Sequence, residues 1–192
     1  MANGTFEIQV GIDDGRERPG DGNMNLTATQ IDVGQNKLAG LRFTGLAIPQ
    51  GATITSAKLR LFVKERATRT ISITYSAEDE DDSPVFTTTD FDFANRTKTS
   101  ATLDDTPANW TDEAYNDSPD IMAIIQEVVD RTGWTSGNAL SIFIADDGSG
   151  DFRGFASFEN TTPSSVPQFV VTFLVPAPTT TGGAKLVTLF LQ

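Results

Sequence analysis

The stretch that decides the fold class runs from Ile54 to Val63 and reads ITSAKLRLFV. Every second side chain towards its end is apolar, namely those of Ala57, Leu59, Leu61 and Val63. Lys58 and Arg60 lie between them and are charged. Successive side chains of a strand point to opposite faces of a sheet, so this period of two indicates a strand with one buried and one solvated face. Such one-sided burial is typical of antiparallel sheets.

The same alternation recurs along the chain, at residues 71–77, 140–144, 153–158 and 168–175. Turn-forming Gly, Pro and Asp separate these segments, at residues 13–15, 19–22, 49–51 and 146–151. Many short strands with this punctuation predict an all-β fold, which we interpret as a jelly-roll-like antiparallel β-sandwich.

One segment has the periodicity of a helix instead. Its apolar residues recur at spacings of three and four: Ile121, Ile124, Ile125, Val128 and Val129. Ser118 suits an N-cap and Pro119 a first helical position, while Gly133 suits the left-handed position after a helix. The pattern predicts one amphipathic helix at about residues 119–131, packed across an open end or edge of the sandwich.

The composition excludes several classes of chemistry. The 192 residues contain no Cys and no His, which excludes disulfides, thiolate metal sites and histidine-dependent catalysis. Fourteen basic residues against 26 acidic ones give a net charge of −12, which argues against nucleic acid or an acidic membrane surface as a partner. The classes of function that remain possible are chemistry by carboxylates, binding of oxygen-ligated metals such as Ca²⁺, and binding without catalysis. No motif identifies a catalytic carboxylate pair, so we expect no enzymatic activity and no required cofactor.

The chain divides into three parts. Residues 5–175 carry the strand and helix signals and form the predicted sandwich domain, and residues 176–183 have the Pro/Thr/Gly composition of a linker. Residues 184–192 follow as an apolar, strand-like arm. Its apolar side chains are those of Leu186, Val187, Leu189, Phe190 and Leu191. The arm can be a last strand of its own sheet or can pair with a neighbouring chain, and we predict an interface between chains.

The N-terminal residues Met1–Phe6 lack the basic and apolar regions of a secretory signal. No apolar run approaches the ~18 residues of a membrane span. We therefore expect synthesis in a host cytoplasm, without a signal peptide and without a membrane partner.

Acidic and aromatic residues supply the remaining candidate sites. The acidic groups are Glu78–Asp82, Asp146–Asp151 and Asp13–Asp14 with Glu17, and each can be a solvated turn or a weak Ca²⁺ site. Trp110 and Tyr115 lie in loop regions and can contact a glycan through their flat rings, although large rings also plug the ends of a sandwich.

A longer stretch, Gly40–Leu61, resembles a family of bacterial and phage β-sandwich modules in which a strand ends in Ile-Pro-x-Gly-Ala-x-Ile-x-x-Ala-x-Leu. The likeness continues at 86–88, 110–111, 119–138, 156–159 and 167–171, and so covers about residues 5–175. In these features the chain resembles the DNRLRE-type group of jelly-roll domains, which is allied to carbohydrate-binding modules. As a small module with an arm and no partner domain, the chain is also similar to phage virion accessory proteins.

Two functions follow as expectations. The first is a non-enzymatic structural protein of a virion, either a capsid decoration (cement) protein or a fibre-like appendage. Its partners would be other virion proteins or further copies of itself. The alternative is a carbohydrate-binding or adhesion module that recognises a surface glycan, which the family resemblance and Trp110 favour.

Overall fold

The computed structural model describes residues 1–160 and 165–176. The strands of this part are β1 (Ala2–Glu7), β2 (Asp14–Arg18), β3 (Asn23–Asn25), β4 (Gln30–Gly34), β5 (Leu38–Phe43), β6 (Thr53–Glu65), β7 (Ile73–Ala77), β8 (Leu103–Asp105), β9 (Ala114–Asp117), β10 (Leu140–Asp146), β11 (Phe152–Ala156) and β12 (Gln168–Leu174). The helices are α1 (Asp92–Asn95) and α2 (Met122–Val129). These strands pair antiparallel.

The strands form two six-stranded sheets. One has the order β1-β12-β6-β11-β4 with β9 paired to β6, and the other has the order β3-β2-β5-β10-β7-β8. Apolar residues of both sheets form one buried cluster, with Leu59 and Val171 from the first and Leu41 and Ile142 from the second. The predicted antiparallel β-sandwich is therefore confirmed.

Strand β6 contains the stretch that decided the fold class. Its residues Ala57, Leu59, Leu61 and Val63 are buried and alternate with more exposed neighbours, as the sequence predicted. Full burial of a large apolar side chain contributes ~1.5–3 kcal/mol. β6 pairs with β12 along its first part and with β9 and β11 further on, which makes it the strand around which the first sheet is built.

Helix α2 and the segment before it cover the edge of β6 that β12 leaves unpaired. Three side chains accept hydrogen bonds from backbone N–H groups of β6: Gln126 from Ile54 (2.7 Å), Asp120 from Ala57 (3.0 Å) and Ser118 from Leu59 (3.0 Å). Unpaired strand edges attract other chains, so covering an edge with a helix prevents strand addition there.

The helix has the predicted apolar face but different ends. Ile124, Ile125, Val128 and Val129 are buried, as predicted. The helix spans Met122–Val129 rather than 119–131, because the segment before it is used for β6: the Ser118 hydroxyl bonds β6 and does not cap the helix. At the other end, Gly133 is not among the residues with positive φ, so the predicted glycine stop was wrong.

The first and last described strands lie near residues 5 and 175, where the predicted domain begins and ends. β1 begins at Ala2 rather than at residue 5, since it pairs with β12 from Ala2 opposite Phe173 down to Glu7 opposite Gln168. β12 ends at Leu174. The rest of the predicted linker after residue 176 and the whole arm, 184–192, lie outside the described residues.

Candidate functional site

A surface cleft of about 410 Å³ surrounds Trp110, one of the two aromatic residues that the sequence suggested for glycan contact. Its other lining residues are Asp105, Pro107, Ala108, Asn109, Asn116, Asp117, Ser118 and Pro119. The indole of Trp110 is half-buried against the main core. The backbone N–H of Trp110 donates to the carbonyl of Ala67 at 2.9 Å. An aromatic ring with carboxylate and amide groups around it has the chemistry that binds sugar hydroxyls.

The buried Arg153 bonds the backbone of two residues that line this cleft, Pro107 and Ala108. Its guanidinium lies 4.7 Å from the centre of the Trp110 ring and donates to three backbone carbonyls, those of Arg69 (2.7 Å), Ala108 (2.8 Å) and Pro107 (3.0 Å). Partial burial raises the pKa of Asp105, while the charge of Arg153 opposes that rise. Arg153 occupies one face of the indole, so a sugar has to approach from elsewhere in the cleft. Sequence reasoning missed Arg153, because it stands in a strand pattern where an arginine usually faces solvent.

Tyr115 lies outside the set of residues that line the Trp110 cleft. It belongs to β9, where its ring meets Phe62 edge-on with ring centres 5.4 Å apart. Its hydroxyl donates to the carbonyl of Val166 at 3.0 Å. The structure therefore does not bring the two suggested glycan contacts together in one cleft.

The acidic run Glu78–Asp82 is engaged in the fold. Glu78 is buried and pairs with Arg96 at 2.9 Å, while Asp79 and Asp81 both bind Arg131. Asp82 accepts the backbone N–H of Ala139 at 2.7 Å. These bonds tie the loop to the start of β10 and to the segment after α2.

The acidic turn at 146–151 is likewise engaged. Asp146 accepts the backbone N–H groups of Asn36 (3.0 Å) and Ser149 (2.9 Å), and Asp151 pairs with Arg66 at 2.9 Å. Over residues 1–160 and 165–176, no three acidic side chains are grouped so that they could hold a metal ion. The expectation that the chain requires no cofactor, with a weak calcium site as the alternative, stays a prediction.

The third acidic group, Asp13–Asp14 with Glu17, is buried rather than a solvated turn. Asp13 pairs with Arg42 at 2.7 Å, and Glu17 accepts two backbone N–H groups at α1. Asp14 accepts the N–H of Phe158 at 2.8 Å. Burial raises the pKa of Asp14 to about 8, against the effect of the Phe158 hydrogen bond, with nearby Glu159 and Asp13 adding to the rise. No pattern in the sequence indicates this burial, because Asp-Asp-Gly is typical of a turn.

A small basic pocket of about 100 Å³ lies beside β2 and β3. It is lined by Arg16, Arg18, Asn23, Asn25 and Lys37. Arg16 and Arg18 already bind the carboxylates of Asp32 and Asp21. The positive charge of this pocket is therefore largely neutralised from within the chain.

The five arm residues proposed as an interface, Leu186, Val187, Leu189, Phe190 and Leu191, lie outside the described residues. In the described part of the chain, no helix has the length and apolar character needed to cross a membrane. No protein-family model and no curated protein matches the sequence.

Proposed function

We propose that the protein is a non-enzymatic structural protein of a virion, a capsid decoration (cement) protein or a fibre-like appendage, attached through protein–protein contacts. The observation that carries this proposal is the place where the sandwich ends. β12 ends beside β1, the outermost strand of its sheet, and the chain continues into a linker and an apolar segment at 184–192. A rigid body followed by a linker and an apolar strand-like segment suits attachment to another protein.

The composition of the segment supports attachment rather than a solvated tail. Five of its residues, Leu186, Val187, Leu189, Phe190 and Leu191, are large and apolar, and their spacing in the sequence would place them on both faces of an extended strand. A strand that is apolar on both faces needs cover on both sides. Burial of five such side chains contributes on the order of 1.5–3 kcal/mol each before ordering costs, which is ample to hold a subunit on a particle.

The experiment is analysis of purified particles from the culture that expresses the gene. We expect the protein to be present in the particles at a fixed ratio to the major capsid protein. A chain that ends at Pro178 should fold but be missing from the particles. Absence of the full-length protein from purified particles would contradict a virion role.

A second candidate is a carbohydrate-binding or adhesion module, and the cleft at Trp110 favours it. The cleft offers the carboxylate of Asp105 and the amide of Asn109 beside the indole, whereas Asp117 pairs with Arg60 and the amide of Asn116 bonds the backbone of Thr111 and Ala114. Glycan-array binding by the purified protein, lost in Trp110→Ala but kept in Tyr115→Phe, would support this function. If the protein binds no glycan on the array, the glycans on that array are excluded as its ligands.

A further inference from the structure

The pocket beside β2 and β3 is surrounded by cationic and amide side chains. Its volume is about 100 Å³, and its lining residues are Arg16, Arg18, Asn23, Asn25 and Lys37. No acidic side chain is among these lining residues, although the chain as a whole has a net charge of −12. At physiological salt, exposed charges more than ~8 Å away are largely screened. The lining cations therefore dominate the electrostatic potential inside the pocket.

The pairing of β2 with β3 brings four of these side chains to one face of the hairpin. Arg16 lies opposite Asn25, and Arg18 lies opposite Asn23. Alternate residues of a strand share a face, and so do residues that are directly opposite each other on neighbouring strands. Glu17, between the two arginines, points to the other face, where it accepts two backbone N–H groups of α1.

The backbone around the pocket is fixed by hydrogen bonds within the chain. In the turn between β2 and β3, the N–H of Phe91 donates to the carbonyl of Gly22 at 2.9 Å. Gly22 has a φ of +72°, and a Cβ at this position would lie 2.4 Å from the Phe91 ring, so the turn requires glycine. Across the pocket, the N–H of Lys37 donates to Gly34 at 3.1 Å, and its carbonyl accepts the N–H of Asp146 at 3.0 Å. A ligand would therefore order side chains and leave the backbone as it is.

All three cations keep donors for a ligand. The ammonium group of Lys37 has no hydrogen bond or ion pair to any other residue that the structure describes. Arg16 donates through one nitrogen to Asp32, and its other two nitrogens have no acceptor within residues 1–160 and 165–176. Arg18 pairs with Asp21, but these side chains are 59% and 52% exposed, and ion pairs this exposed contribute little to stability. The carboxylates of Asp32 and Asp21 thus leave one positive charge of the pocket unpaired.

The amide groups also favour an acceptor as ligand. The side-chain oxygen of Asn25 accepts the N–H of Thr27 at 3.1 Å, which leaves its NH₂ group to donate. Arginine and lysine side chains have donors and no acceptor. A molecule in the pocket must therefore supply several oxygen acceptors and negative charge.

We propose that this pocket binds a tetrahedral oxyanion, namely a sulfate or phosphate group. The donors approach from β2, from β3 and from the turn before β5, so they surround a centre rather than lie in one plane. A sulfate or phosphate group presents three or four oxygens around one atom, whereas a carboxylate presents two in a plane. Arginine and lysine are the side chains that pair with such groups in proteins.

The size of the pocket limits what enters it. Sites for whole small molecules have volumes of ~300 Å³ or more, so about 100 Å³ admits the oxyanion and not a sugar ring or a nucleotide. The oxyanion is either a free ion or an ester group at the end of a larger molecule. The inference is independent of the proposed virion role, because the pocket lies wholly in the sandwich.

The first test is an NMR titration of the full chain with sodium phosphate and with sodium sulfate at constant ionic strength. We expect saturable shifts of the backbone amide signals of residues 16–18, 23–25 and 37. Tighter binding of glucose 6-phosphate than of phosphate would identify an ester as the ligand, and tighter binding of phosphate would identify the free ion. Acetate that binds as tightly as phosphate would overturn the choice of a tetrahedral ligand. Absence of saturation, or shifts centred on other cations such as Lys58 and Arg60, would overturn the site.

The second test removes the unpaired cation. Lys37→Ala breaks no ion pair of the described structure, and it should weaken phosphate binding at least ~tenfold through loss of one charge-assisted hydrogen bond. Lys58→Ala is the matched control, because it removes the same charge from a partly exposed position on β6, in the other sheet. This control should bind phosphate as the parent does. Equal affinities of Lys37→Ala and the parent, or equal losses in both variants, would overturn the proposal.

Discussion

Replacement of the buried Asp14 by Asn should make the protein more stable at neutral and alkaline pH. Asp14 is fully buried, and one of its carboxylate oxygens accepts the backbone N–H of Phe158 at 2.8 Å. The other oxygen has no hydrogen-bond partner in the described part of the chain. Asn has the same shape, keeps an oxygen for Phe158 and carries no charge. Asp14→Asn therefore removes the cost of a buried titratable group with little change in packing.

The magnitude follows from proton linkage. Burial raises the pKa of Asp14 from its ordinary 3.8 to about 8, so between these values the folded state holds a proton that the unfolded state releases. The free energy of unfolding then falls by ~1.4 kcal/mol for each pH unit across this window, and is level below and above it. The parent should lose about 4 kcal/mol of stability from this group between pH 4 and pH 7. The variant should not lose it.

The assay is urea unfolding of both proteins from pH 4.5 to pH 8.5. We expect their stabilities to be similar at pH 4.5 and to differ by several kcal/mol at pH 8, in favour of Asp14→Asn. Asp112→Asn removes an exposed acid and is the matched control, with the pH dependence of the parent. Parallel curves for the parent and Asp14→Asn at every pH would refute the assignment of a raised pKa to Asp14.

Three further predictions concern the helix, the cleft and calcium. Ile125→Ala should cost ~2–5 kcal/mol of stability in denaturant unfolding, whereas Met122→Ala, at a side chain 46% exposed, should change it by less than ~0.5 kcal/mol. Arg153→Met should cost ~2–4 kcal/mol and alter tryptophan fluorescence, because three backbone carbonyls lose their donor, whereas the exposed Arg60→Met should cost at most ~1 kcal/mol. Since arginines and a backbone N–H group bind Glu78, Asp79, Asp81 and Asp82, we expect equal melting temperatures in Ca²⁺ and in EDTA, and a rise of several degrees in Ca²⁺ would show a site.

The sandwich could be predicted because its signals are local. In β6 the alternation of apolar and polar residues is a direct consequence of one-sided burial, and in α2 the spacing of Ile124, Ile125 and Val128 is that of a buried helical face. The ends of α2 could not be predicted in the same way. Ser118 has good N-cap chemistry, but its hydroxyl accepts a backbone N–H of β6, some 60 residues away in sequence, and Asp120 accepts N–H groups both from β6 and from Met122 at the start of α2.

The candidate sites were harder to predict, because burial of a charged residue is a property of the assembled fold. Asp14 has the sequence surroundings of a turn and yet is buried beside Glu159, while the acidic run at 78–82 looks solvated and is tied down by Arg96 and Arg131. Trp110 was recognised as a loop aromatic, but its partner Arg153 comes from a strand 43 residues later. Distant pairings of this kind leave no pattern in a single sequence.

The mass of the protein in solution is the most direct test of attachment through the apolar segment. The full chain, 20.6 kDa as a monomer, and a chain that ends at Pro178 would be compared by sedimentation velocity at equal concentration. We predict an assembly larger than a monomer for the full chain, and a folded monomer with an unchanged melting temperature for the shortened chain. The same assembly from both chains, or unfolding of the shortened chain, would contradict a role for residues 184–192 in joining one copy to another.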